Sequence, residues 1–89
     1  MSTHPNIVHD SVIDALSEAI ESKIPNSRAA VRGGGGHFTI EVTSPVFAGM
    51  GMLESQRLVY DAIRHLMSGE DAPVHAIDRL ETKTPAVAE

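Results

Sequence analysis

Apolar side chains recur at intervals of three and four over the first part of the chain. Ile13, Leu16, Ile20 and Ile24, with Ala19 between them, line one face of a helix, and Glu18, Glu21 and Lys23 fall off that face. Asn6, Asp10 and Ser11 are the candidate N-caps, and Ser11 with Asp14 reads as a loose capping box. Residues 1–5 show no periodicity and read as a frayed lead-in. Pro25 ends the helix because the residue before proline is pushed out of the helical region, and Asn26 with Ser27 reads as a turn.

The period then changes from helical to two. Residues 28–32 form a short extended candidate, and Gly33, Gly34, Gly35 and Gly36 follow as a flexible hairpin link. Residues 37–43 alternate, with Phe38, Ile40 and Val42 on one face and His37, Thr39, Glu41 and Thr43 on the other. An antiparallel pair of this kind needs a helix on its apolar face. Ser44 and Pro45 stop the strand, and Phe47 and Met50 in the following loop are expected to dip into the core. Helical spacing returns over residues 52–67 through Met52, Val59, Ile63 and Leu66, as one helix or a bent pair, with Gly69 just past its end. Residues 74–83 suit a last strand and residues 85–89 a tail. The order is helix, strand, strand, helix or helix pair, strand. That is an α+β domain with its helices on one face of a three-stranded sheet.

Composition narrows what such a domain can do. At 89 residues the chain is expected to close a single core, ordered over about residues 6–84. Apolar residues at 42% and charged residues at 21% fit a folded domain rather than a disordered one. Twelve acidic against seven basic residues give a net charge of -5, which disfavours indiscriminate binding to nucleic-acid phosphates. There is no Cys, so any metal chemistry runs through His, Asp or Glu. No apolar run reaches a membrane span and no secretory signal pattern opens the chain, so a cytoplasmic protein is the expectation.

The glycine run does not make a phosphate cradle, because His37-Phe38 opens a strand where a P-loop needs Gly-Lys-Ser/Thr and a helix. It also matches the Gly-x-x-Gly of nucleic-acid-binding KH domains only in letters, since that loop joins two helices. Gly49-Met50-Gly51 is too short for a dinucleotide fingerprint. Met50, Met52, Leu53 and Met67 read as core filler, and exposure of any of them would instead suit a partner-docking face. His4, His9 and His65 read as surface residues. No carboxylate pair or Ser meets the partners that catalysis requires, so an enzyme is not expected.

His37-Phe38-Thr39-Ile40-Glu41-Val42, then Phe47-Ala48-Gly49-Met50, Gln56-Arg57-Leu58-Val59-Tyr60, and Val74-His75-Ala76-Ile77 with Thr84-Pro85 together resemble the BolA family. The resemblance covers about residues 12–85. It implies a KH-like α+β fold and a non-enzymatic role in iron-sulfur and iron homeostasis, beside a monothiol glutaredoxin with a Cys-Gly-Phe-Ser active site. In such heterodimers the glutaredoxin Cys and a glutathione thiolate hold one iron of a 2Fe-2S cluster, and the family's His-Ala motif supplies a histidine to the other. Here that histidine is His75. A second ligand comes from the loop between the first two strands, as Cys in some members and His in others; Gly34 stands at the Cys position.

With no Cys, His37 is the remaining nitrogen donor near that loop. His37 and His75 together would give a Rieske-like pair of imidazoles on one iron, which raises the reduction potential. His75 alone, or with water or a carboxylate, would give a more labile cluster, and acid would strip imidazole ligands by protonating them. At the start of the second helix Glu54-Ser55-Gln56-Arg57 replaces a more basic stretch of many family members, with Arg57 and Tyr60 read as structural first. The competing function is a nucleic-acid-binding regulator of stress responses, for which Arg57, Arg64, Arg79 and Lys83 are the available cations. A homodimer through a strand edge and the methionine-rich loop is a further option. In the last strand Ile77 and Leu80 are three apart, which predicts a β-bulge.

Overall fold

The computed structural model describes residues 8–86, and side chains from residue 11 onward. Helix α1 spans Val8–Lys23. Asp10 and Ser11 therefore lie inside the helix, and neither they nor a Ser11–Asp14 box cap it. Asn6, His4, the lead-in and residues 87–89 fall outside the described residues, as does the side chain of His9. The predicted stripe is the buried one: Leu16 and Ile20 are fully buried and Ile24 nearly so, while Ile13 and Ala19 pack at its edge. The amide of Ile24 donates to the Ile20 carbonyl at 2.9 Å as the last helical bond before Pro25. Asn26 then takes a φ of 54°, a left-handed conformation that Asn tolerates.

Strand β1 covers Arg28–Gly34 and β2 covers His37–Thr43, paired antiparallel from Arg28↔Thr43 to Gly34↔His37. The hairpin is tighter than a four-glycine linker. Gly33 and Gly34 belong to the ladder, and only Gly35 and Gly36 turn the chain, with φ of 63° and 86°. Positive φ at both central residues marks the type I′ family, whose twist matches that of the strands it joins. Phe38, Ile40 and Val42 are buried beneath the helices, as their alternation predicts.

Ser44, read from sequence only as a strand stop, is a junction. It is fully buried, its hydroxyl donates to the Pro25 carbonyl at 2.7 Å and accepts from the Val46 amide at 3.1 Å. Its own amide donates to the Lys83 carbonyl at 3.0 Å. One residue thus joins the end of α1, the short 3-10 turn Pro45–Phe47 and the last strand. Phe47 is buried and Met50 half-buried, as expected.

Helix α2 is one unbroken helix, Met52–Met67, with Glu54 in its first turn and Arg64 and His65 in its last, the arrangement the helix dipole favours. Its buried face is Ser55, Val59, Ala62 and Ile63, not a stripe beginning at Met52. Met52 and Leu53 are 74% and 68% exposed, which corrects their reading as core filler. The hydropathy pattern missed Ser55 because it is polar. It is buried because its hydroxyl donates to the Met52 carbonyl at 2.9 Å and receives the Thr82 hydroxyl at 2.6 Å.

Val74 is a buried plug ahead of the last strand, with its amide on the Leu66 carbonyl at 3.2 Å. Strand β3 runs Ala76–Lys83, two residues later than residues 74–83 predicted. It lies parallel to β2 in a sheet of order β1-β2-β3. The predicted bulge is there. Phe38 pairs with Ile77 and Thr39 with Arg79, so Asp78 is the extra residue, and the shift returns Leu80 to the inner face opposite Ile40.

Replacing Ile40 by Ala is expected to lower the unfolding free energy by about 2–5 kcal/mol, through lost burial and the cavity left behind. Met52→Ala is expected to change it by less than about 0.5 kcal/mol. Urea denaturation of both variants checks this, and comparable losses would contradict the burial described.

Candidate functional site

The tip of the β1–β2 hairpin and the start of β3 meet at Gly36. Its carbonyl accepts two consecutive amides, His75 at 2.8 Å and Ala76 at 3.0 Å. The imidazole of His75 rests over the same glycine. A Cβ built on Gly36 would lie 2.6 Å from His75 Nδ1 and 2.8 Å from Cγ, closer than any real contact. The bare Cα is thus both the turn residue that accepts a φ of 86° and the seat of the His75 ring. His75 is exposed, and among the described residues neither of its ring nitrogens has a hydrogen-bond partner.

His37 follows Gly36 directly and pairs with Ala76 across the sheet, so His75 stands one residue before the partner of His37, just ahead of β3. Their side chains have different surroundings. His37 Nδ1 lies 3.1 Å from Asp78 Oδ1, and both side chains are more than half exposed. An ionised carboxylate only accepts, so this contact is a hydrogen bond when Nδ1 carries a proton. That is the hydrogen-bonding pattern commonly found behind a metal-bound imidazole. Among the described residues no three of His, Cys, Asp or Glu are gathered closely enough to hold a metal ion.

The Gly34 position, where the resemblance puts a Cys in some relatives, is the last residue of β1. No atom lies within 4 Å of a Cβ built there. A side chain at position 34 has room, whereas one at position 36 collides with His75. The nitrogen donors this chain has near the hairpin tip are the imidazoles of His37 and His75.

The four cations considered for nucleic acid fall on two different surfaces. Arg57 and Arg64 are exposed on α2, and Arg64 is already paired with Asp61. Arg79 and Lys83 sit in register with Thr39 and Thr43, on the sheet face turned away from the helices. Arg28 and Arg32 share that face through the β1 register, which sequence reading did not identify. Glu41 and Glu81 lie between them, and Lys83 Nζ is 3.2 Å from Glu41 Oε2. The result is a band of alternating charge, without an exposed aromatic ring for a base to stack on. A groove of about 470 Å³ lined by Ile24, Val46, Met50 and Leu58 lies between the end of α1 and α2, and neither candidate histidine borders it. Among the described residues no helix is long and apolar enough to cross a membrane.

Sequence reasoning missed Asp78 and Gly36. The spacing of Ile77 and Leu80 was the signal for Asp78, since it implies one unpaired residue beside His37. Gly36 carried no signal beyond its place in the glycine run.

Comparison with known proteins places this geometry. A family described as BolA-like protein matches residues 6–87. A bolA protein homologue from Coxiella burnetii is 35% identical, with 79% of this chain and 86% of that one covered and a TM-score of 0.67. BolA1 from Mus musculus is 29% identical over 96% of this chain and 69% of its own, with a TM-score of 0.66. BolA1 from Arabidopsis thaliana, at 22% identity, covers 85% of this chain and 94% of its own with a TM-score of 0.68, and so shares the fold. No curated protein sequence matches.

Gly36→Ala is expected to move the His75 imidazole off its seat and to cost about 1–3 kcal/mol, because a side chain is forced to positive φ. Gly34→Ala, with open space at its Cβ, is expected to leave the His75 ring resonances where they are. Heteronuclear NMR of both variants distinguishes them. Unmoved His75 signals in Gly36→Ala would contradict the seat.

Proposed function

The chain belongs to the BolA-like family, and on that premise we propose that it is a non-catalytic accessory protein of iron-sulfur and iron homeostasis that pairs with a monothiol glutaredoxin. His75 is the principal ligand this chain offers to a shared 2Fe-2S cluster, and His37 is the second. The glutaredoxin Cys and a glutathione thiolate complete the set. The single observation that carries the reading is the unpartnered imidazole of His75, seated on Gly36 at the exposed end of the sheet.

Several features support it. Imidazole is a good ligand for iron, and mixed sulfur and imidazole ligation is a known way to raise a cluster's potential. The isolated chain gathers fewer than three donors among its described residues, which suits a site completed by a partner. Met52 and Leu53 are exposed on α2, beside the outer end of β3, and provide apolar surface for such a partner. When bound, the cluster supplies one-electron redox chemistry or is itself the cargo. The chain's own work is to present nitrogen lone pairs at fixed positions. The nucleic-acid alternative has Arg28, Arg32, Arg79 and Lys83 on one sheet face, but Glu41 and Glu81 are interleaved with them and offset part of their charge.

Titration of the protein into a cluster-loaded monothiol glutaredoxin, followed by visible absorption and circular dichroism, tests the reading. A new spectrum is expected, lost in His75→Ala and altered in His37→Ala. No spectral change at high excess of the native protein would remove cluster binding from the account.

A further inference from the structure

We infer that Asp78 is a positioning residue: through its hydrogen bond to Nδ1 it holds His37 in the tautomer that presents Nε2 as the metal-binding nitrogen. The inference rests on the proposed cluster role for its metal step, and its first step stands on the isolated protein.

The backbone places Asp78 for this purpose. In a regular parallel ladder each β3 residue would have one partner on β2, and alternation would carry successive side chains to opposite faces. Here Ile77 pairs with Phe38 and Arg79 with Thr39, so Asp78 is supernumerary. Two consecutive residues, Asp78 and Arg79, are exposed as a result, while Ile77 and Leu80 on either side pack against the core. A bulge that re-aims one side chain is a common device beside functional sites. The side chain re-aimed is a carboxylate, and it reaches Nδ1 of His37 at 3.1 Å.

His37 is itself fixed by the ladder, paired with Gly34 on one side and Ala76 on the other. Its ring therefore has little freedom except rotation about its own side-chain bonds, and Asp78 removes that freedom at the Nδ1 edge. A neutral imidazole free in water favours the proton on Nε2, which would block the outward nitrogen. With the proton held on Nδ1 the outward nitrogen keeps its lone pair. His75 has no such orienting partner among the described residues and depends on the Gly36 seat instead. The two imidazoles are thus positioned by different means, one by a hydrogen bond and one by a steric fit.

Long-range ¹H–¹⁵N correlation of the imidazoles, on the isolated protein at a pH where His37 is neutral, reads the tautomer directly. The native protein is expected to show His37 protonated on Nδ1. Asp78→Ala is expected to move His37 toward the Nε2–H form. An Nε2–H tautomer in the native protein, or one unaffected by Asp78→Ala, would overturn the inference.

The metal step is read in the complex with a cluster-loaded monothiol glutaredoxin. Asp78→Ala is expected to weaken it by about 10–100-fold, the usual effect of losing an orienting partner, and to reproduce the spectral change of His37→Ala. Unchanged affinity and spectrum in Asp78→Ala would overturn the metal step even with the tautomer as expected. If the native protein gives no mixed cluster, the proposed function fails and the metal step with it, while the tautomer result still decides the hold of Asp78 on His37.

Discussion

One backbone carbonyl organises the end of the sheet where the two candidate histidines lie. Gly36 accepts the amides of both His75 and Ala76, and so pins the entry to β3 to the tip of a hairpin formed far earlier in the chain. From that anchor β3 must run parallel to β2, with His37 opposite Ala76 and Phe38 opposite Ile77. The next residue is then extra, because Leu80 has to reach the inner face opposite Ile40. The bulge at Asp78 is the consequence of satisfying both the anchor and the core. A side chain on Gly36 would disturb the turn, the anchor and the His75 ring together.

The large elements were legible because their apolar periods are clean. Leu16, Ile20 and Ile24 on α1 and Phe38, Ile40 and Val42 on β2 each mark one buried face, and each is buried. The bulge was legible too, from the spacing of Ile77 and Leu80. What hydropathy could not show was the work of polar residues. Ser44 and Ser55 are buried because their hydroxyls find partners on distant elements, Pro25 and Thr82. Nothing local in the sequence announces those partners. Met52 departs from its sequence pattern for the complementary reason: it stands at helical spacing, but the buried stripe of α2 passes through Ser55.

The candidate site divides in the same way. His75 and His37 are legible through a family resemblance and the absence of Cys, and the fold brings their backbones together, His37 opposite Ala76 and His75 just before it. The means of holding each ring became visible only in three dimensions. Gly36 looked like one of four interchangeable glycines, yet position 34 is open space and position 36 is occupied by an imidazole. Asp78 looked like one charge in an alternating strand. The proposed role for this chain is accordingly modest in number of donors and demanding in their placement: two imidazole nitrogens offered to a cluster whose sulfur ligands come from a partner.

Pulsed EPR of the one-electron-reduced cluster in the complex with monothiol glutaredoxin counts those donors directly, through the hyperfine coupling of ligand nitrogen to the unpaired spin. The account predicts two inequivalent imidazole nitrogens from ¹⁵N-histidine-labelled protein bound to unlabelled glutaredoxin. A spectrum with one such nitrogen, or none, would contradict it.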